Sequence, residues 1–203
     1  MTESPLITRS INVDYSSVAV ARDGRRIIVR AIRPDDKVIF EDELQHLSPE
    51  SRYFRFFTPK TELTAKELKY FSELDFVNHV GLIALIQDNN TFVAAGTGRY
   101  IVCSGNGKGP SAEVAFEVKE EFQNLGIATI LLRELTCIAS KSGIKQLVAF
   151  VLNTNSKMLS VLRKFHWKYQ SHGGSAGVIT LSKELSDAES GDIRTSSQNH
   201  SEG

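Results

Sequence analysis

The sequence predicts an α/β fold of the α+β type: one mixed, mostly antiparallel central sheet with helices on both faces. Three observations carry this reading. Short apolar runs joined by turn signals dominate the first half, as antiparallel strands require. From Ala112 to Phe165 the order changes to strand, helix, strand, helix, which puts a parallel pair inside the sheet. The 203 residues, 41% of them hydrophobic, suffice for one well-buried core and are short for two.

The elements follow in order. Residues 1–16 are polar and aperiodic, and residues 186–203 are rich in Ser, Asp, Glu, Asn and Gly with Ile193 as the one bulky apolar side chain, so both ends are expected to be disordered around a domain at 17–185. Runs at 18–21 and 27–32 flank Asp23-Gly24, a hairpin signal. Pro34 opens a helix over 35–47 that carries Val38, Ile39, Phe40 and Leu44, and Ser48-Pro49 begins a second. Thr64-Ala65-Lys66-Glu67 has the form of a capping box and starts a third, with Leu68, Phe71 and Leu74. Strands over 79–87 and 91–103, joined at Asp88-Asn89-Asn90, are expected to pair antiparallel. A strand over 112–118 then leads to a helix over 127–142, where Ile127, Leu131, Leu135 and Ile138 repeat at helical spacing. A strand over 146–152, a helix over 155–165 and two strands separated by Gly173-Gly174 complete the chain.

Composition removes several functions. The 24 basic and 24 acidic side chains cancel, so no global field draws nucleic acid or an anionic membrane surface. The segment 52–57 interleaves Arg52 and Arg55 with Tyr53, Phe54, Phe56 and Phe57, a texture that single-stranded nucleic acid can exploit. With neutral overall charge it reads instead as an aromatic-faced helix bordering a cleft. Cys103 and Cys137 lie far apart with no His or Cys at ligand spacing, so neither a zinc site nor a disulfide is indicated and both are expected to be reduced core thiols. No metal is implied. No apolar run approaches the ~20 residues a bilayer requires, and Met1-Thr2-Glu3-Ser4-Pro5 lacks signal-peptide features, so cytoplasmic residence is expected.

The turn Gln123-Asn124-Leu125-Gly126-Ile127-Ala128 joins a strand end to a helix start. A helix start leaves backbone N–H groups without intrahelical partners and carries the positive end of the macrodipole, which suits a pyrophosphate. Gly126 has no Cβ to keep an anion away from those amides.

This turn, the element order and Asn155 in the later helix resemble the GNAT superfamily of acetyl-CoA-dependent N-acetyltransferases. The resemblance runs over residues 27–185. Ile32-Arg33-Pro34-Asp35-Asp36, the segment Leu47-Ser48-Pro49-Glu50-Ser51-Arg52-Tyr53-Phe54-Arg55-Phe56-Phe57, and Asn155-Ser156-Lys157-Met158-Leu159 look like the catalytic domain of bacterial Pat-type protein lysine acetyltransferases. The resemblance implies acetyl-CoA as cosubstrate, held by the turn Gln123, Asn124, Leu125, Gly126, Ile127 and Ala128, by backbone groups of Phe116 and Val118, and by Asn155. It implies a general base, Glu113, at the start of the preceding strand. A lysine ammonium with a pKa near ~10.4 is almost wholly protonated at neutral pH, so a carboxylate of raised pKa is the group to receive its proton.

Alternatives remain at several positions. Glu117 lies four residues beyond Glu113 and shares its face in an unbroken strand, whereas a β-bulge near the strand end, as in the family, moves it. Asn155 equally serves as a helix N-cap. Leu162 stands where many members place a tyrosine, which argues against a tyrosine acid for the departing thiolate. His166 stands at a usual glycine position and reads as a cap or surface residue. The acceptor expected is a lysine side chain of a protein; a small-molecule amine, a protein N-terminus, or a noncatalytic acyl-CoA-binding module are the other readings.

Overall fold

The structure, a computed structural model, describes residues 7–46, 61–103, 109–171 and 177–186. β1 (Ser16–Val20) and β2 (Arg26–Ala31) form the predicted hairpin, with Gly24 at φ 89° in the turn. A 3-10 turn at Pro34–Asp36 precedes α1 (Lys37–His46), so the α-helix begins later than the sequence indicated. The cause is Asp36, whose carboxylate is buried and takes the Arg33 N–H at 2.7 Å and both Arg30 Nη atoms at 2.7 Å. The capping box forms as read: Thr64 Oγ1 accepts from the Glu67 N–H and Glu67 Oε2 accepts from the Thr64 N–H, opening α2 (Ala65–Ser72). The helix expected from Ser48 and the segment 52–57 lie outside the described residues.

β3 (His79–Asp88) and β4 (Thr91–Cys103) pair antiparallel across Asn89-Asn90, where Asn89 takes φ 53°. β5 (Ser111–Val118), α3 (Ile127–Lys141), β6 (Gln146–Leu152) and α4 (Ser156–Lys164) follow as expected, then β7 (Lys168–Ser171) and β8 (Val178–Glu184). The described strands make one sheet in the order β1-β2-β3-β4-β5-β6-β8-β7, and β5–β6 is its parallel pair.

Helices cover both faces. Ile127, Leu131, Leu135 and Ile138 of α3 are buried against Val80, Leu82, Ala84, Ala112 and Val114, and Leu159 and Leu162 of α4 join the same cluster. At about 2 kcal/mol per buried aliphatic side chain, the α3 stripe holds that helix, and therefore its first turn, firmly on the sheet. Alternate residues of β3 point the other way: Ile83 packs with Ile32 and Phe40, backed by Leu68 and Phe71 of α2. Val38 of α1 is not part of that face and stands 66% exposed.

Three further expectations change. Residues 7–15 are not a loose lead-in: Ile7, Ile11 and Tyr15 pack on the main cluster, the Thr8 N–H donates to Ser142 O, and Tyr15 OH and Ser17 Oγ both donate to the buried Glu134 of α3. Burial and the Glu134 carboxylate push the Tyr15 phenol well above its ordinary value, so it stays a donor. The bulge lies on β4 rather than β5: the register with β3 shifts so that Ala95 is the extra residue, while β5 pairs with β4 without interruption. Cys137 is buried but Cys103, at the end of β4, is exposed. No helix among the described residues is long and apolar enough to cross a membrane.

Candidate active site

β5 and β6 pair only over Ser111–Glu113 and Gln146–Val148, then part. The divergence has a local cause on each side. β6 stays with β8 to its end, where Leu152 pairs Val178, while β5 stays with β4 to its own end, where Val118 pairs Gly96 and the Lys119 N–H donates to Ala95 O at 2.9 Å. Gly96 makes the second contact possible: a Cβ there would stand 2.4 Å from Glu117 O and 3.2 Å from Val118 Cα. The Lys119 bond also fixes which way the strand's backbone points. Because antiparallel ladders alternate, Val118 and Phe116 turn their N–H and C=O groups away from β4 and into the opening.

The turn after β5 closes the wide end of this opening. A 3-10 turn at Glu120–Phe122 is followed by Asn124 at φ 65° and by Gly126 at φ 91°, ψ 0°, the N-cap of α3. That left-handed conformation is the reason for glycine here. The missing Cβ faces Arg22, whose stem and Nε lie 3.6–4.0 Å from where it would be. The first-turn amides of α3 from Ile127 to Thr129 lack intrahelical acceptors, and α3 has no acidic residue in its first turn. Gln123 is tied at both ends of its amide: Nε2 donates to Val118 O at 3.2 Å and Oε1 accepts from Lys157 Nζ at 2.8 Å. Asn155 caps α4, Oδ1 accepting from the Met158 N–H at 3.1 Å, which leaves Nδ2 to donate elsewhere. His166, exposed at φ 60°, takes the left-handed position after α4. Leu162 is fully buried.

Ala112 and Val114 belong to the main cluster, so Glu113 and Glu117 share the opposite face of the uninterrupted β5, the side on which α1 and α2 pack. Glu113 reaches solvent, yet partial removal of water by the surrounding sheet raises its carboxyl above the ordinary glutamate value. Glu117 is half-buried and engaged by neighbours. Val148, in register with Glu113, and the exposed Phe150 continue this face across β6.

A polar group that the sequence reading missed lies beside it. Arg99 is buried on β4, in register with Ala115, between Glu113 and Glu117. Its guanidinium lies 4.5 Å from the Phe71 ring centroid and 5.7 Å from that of Phe40. Nη1 approaches His79 Nε2 at 3.3 Å. Burial, then the Arg99 charge, pushes His79 down to about 4, so at neutral pH the ring is uncharged and Nε2 accepts from the arginine.

A sheet pried apart beside a helix-start cradle of amides is the architecture of an acyl-group transferase. Comparison with known proteins assigns it: residues 42–167 match the acetyltransferase (GNAT) family, and the chain belongs to that family. It is 34% identical to the GNAT domain of S. lividans PAT, with a TM-score of 0.74 over 84% of this chain and 97% of that one. Acetyltransferase PA5475 of Pseudomonas aeruginosa is 26% identical over 136 residues, 67% of this chain and 72% of that protein. The structure of yncA from Salmonella typhimurium with its cofactor acetyl-CoA shares the fold at 16% identity, with a TM-score of 0.60 over 79% of this chain and 95% of that one.

Proposed function

We propose that this acetyltransferase takes acetyl-CoA as donor and a lysine side chain of a protein as acceptor, by direct attack within a ternary complex. The observation that carries the reading is Glu113: a carboxylate of raised pKa at a solvent-exposed position of β5, where the sheet begins to part. The resemblance of residues 32–36, 47–57 and 155–159 to Pat-type protein lysine acetyltransferases supports the lysine acceptor, and the chain is 34% identical to the GNAT domain of S. lividans PAT.

Each step falls to a group of this chain. The amides of Ile127, Ala128 and Thr129 and the left-handed turn at Gly126 receive the diphosphate. Phe116 and Val118 offer strand-type hydrogen bonds to the pantetheine amides, and the Asn155 amide offers a further donor. The bound thioester supplies an activated acetyl group. Glu113 Oε takes the proton of the acceptor ammonium through intervening water, since roughly 16 Å of strand separate it from Val118, leaving a neutral amine, and the Val118 N–H donates to the carbonyl oxygen as negative charge grows there. The buried Leu162 offers no proton to the departing thiolate, so that proton comes from solvent or from the acceptor nitrogen.

Incubation of a cell lysate with isotopically labelled acetyl-CoA and the purified chain, followed by mass spectrometry, tests this. Label should accumulate on lysines with the wild type. It should vanish with Gly126→Glu, which adds bulk and negative charge at the cradle, and fall by ~10²-fold or more with Glu113→Gln. Full turnover by Glu113→Gln across pH removes the base assignment. Label confined to N-termini or small amines moves the acceptor, and CoA binding without thiol release makes the chain a binding module.

A further inference from the structure

The turn 123–128 contains no charged side chain, and Glu120 and Glu121 precede it, so an anion arriving at the α3 start meets carboxylates and no cation from the turn itself. CoA nevertheless carries a diphosphate and a 3′-phosphate. Two cations reach the turn from other elements. Arg22, from the β1–β2 turn, is seated by its own backbone, its N–H donating to Leu125 O at 3.0 Å, and its Nη1 donates to Asn124 O at 3.2 Å. Lys157, from α4, donates Nζ to Gln123 Oε1 at 2.8 Å. Both partners are neutral oxygens belonging to the turn.

The neighbouring cations differ. Arg25 is paired with Asp23 at 2.8 Å and Lys119 with Asp42 at 3.7 Å, so their charges are already answered. Lys157 also occupies a position that folding disfavours: it is the second residue of α4, where the macrodipole repels a cation, and no acidic residue in that turn offsets it. Arg22 packs over the bare Gly126 Cα, its Cγ, Nε and Cδ 3.6–4.0 Å from where a Cβ would stand, beside the first turn of α3.

We propose that Arg22 and Lys157 form a two-element clamp on the phosphates of CoA, replacing the basic residue that the turn lacks. This rests on the acetyl-CoA reading given above. On binding, Lys157 exchanges the neutral Gln123 amide oxygen for a charged phosphate oxygen, the stronger partner for an ammonium.

Titration calorimetry with CoA and with dephospho-CoA, on wild type, Arg22→Gln, Lys157→Met and Lys157→Arg, tests the clamp. Arg22→Gln and Lys157→Met should each weaken CoA by roughly 10-fold, with a shallower dependence on salt, and Lys157→Arg should recover most of the loss. Turnover with S-acetylpantetheine, which has no phosphate, should fall far less than turnover with acetyl-CoA in each charge-removing variant, and every variant should keep a cooperative melt. A variant that loses its sensitivity to removal of the 3′-phosphate contacts that group; one that keeps it contacts the diphosphate. Wild-type CoA binding with unaltered Kd in both charge-removing variants, or an equal loss with S-acetylpantetheine, overturns the clamp alone. Failure of the wild type to bind CoA overturns it together with the function.

Discussion

Gly96→Ala is the substitution whose consequence the geometry states most directly. The new Cβ would lie 2.4 Å from Glu117 O, where real Cβ contacts stay above 3.0 Å, and the obstructing atom is backbone that cannot rotate aside. β4 and β5 must therefore separate by about 0.6 Å at the end where Val118 pairs Gly96. Overpacking of this kind costs about 3 kcal/mol when nothing flexible absorbs it, and loosening the adjacent Lys119 to Ala95 bond adds about 1 kcal/mol. For a domain of this size that is a fall in melting temperature on the order of 10 °C. Gly24→Ala is the contrasting case: unlike Gly96 it sits at positive φ, 89°, but meets nothing within 4 Å, so only the torsional cost of about 1 kcal/mol applies. Thermal melts and urea titrations of both variants, with acetyl-CoA turnover measured well below the melt, separate the cases. Gly96→Ala should lose stability and turnover together, since the splayed end of β5 moves; Gly24→Ala should keep turnover. A Gly96→Ala protein that melts with the wild type would refute the argument that glycine is what lets β5 close on β4.

Two other outcomes follow from the same structure. His79 releases its proton at about 4 when folded and 6.5 when unfolded, so the stability it contributes is complete above pH 6.5 and is lost as pH falls from there through 4; urea titrations should show a loss of roughly 3 kcal/mol over that window, flattened in His79→Gln. Asn155→Asp keeps an oxygen to cap the Met158 N–H but removes the amide donor, so its melting temperature should match the wild type while KM for acetyl-CoA rises by roughly 10-fold; an unchanged KM would leave Asn155 as a helix cap alone.

What the sequence revealed follows the range of the interactions involved. The Asp23-Gly24 turn, the Thr64 to Glu67 box, the α3 stripe and the glycine at the α3 start are each written within a few neighbouring residues, and each appears where the pattern put it. The β4 bulge left no trace because Ala94 and Ala95 are both small, so an extra residue there disturbs no alternation of large and polar side chains. Arg22 was invisible for another reason: it meets Asn124 across 102 residues, brought there by the order of strands rather than by any motif. Arg99 and His79 likewise meet only because β3 and β4 pair, and nothing in a solitary arginine or histidine announces burial. Backbone geometry that a motif encodes is therefore readable one segment at a time, whereas charge around a site is a sum over segments. A turn of neutral residues can receive cations from distant segments, here Arg22 from a hairpin and Lys157 from a later helix, and no pattern within the turn announces them.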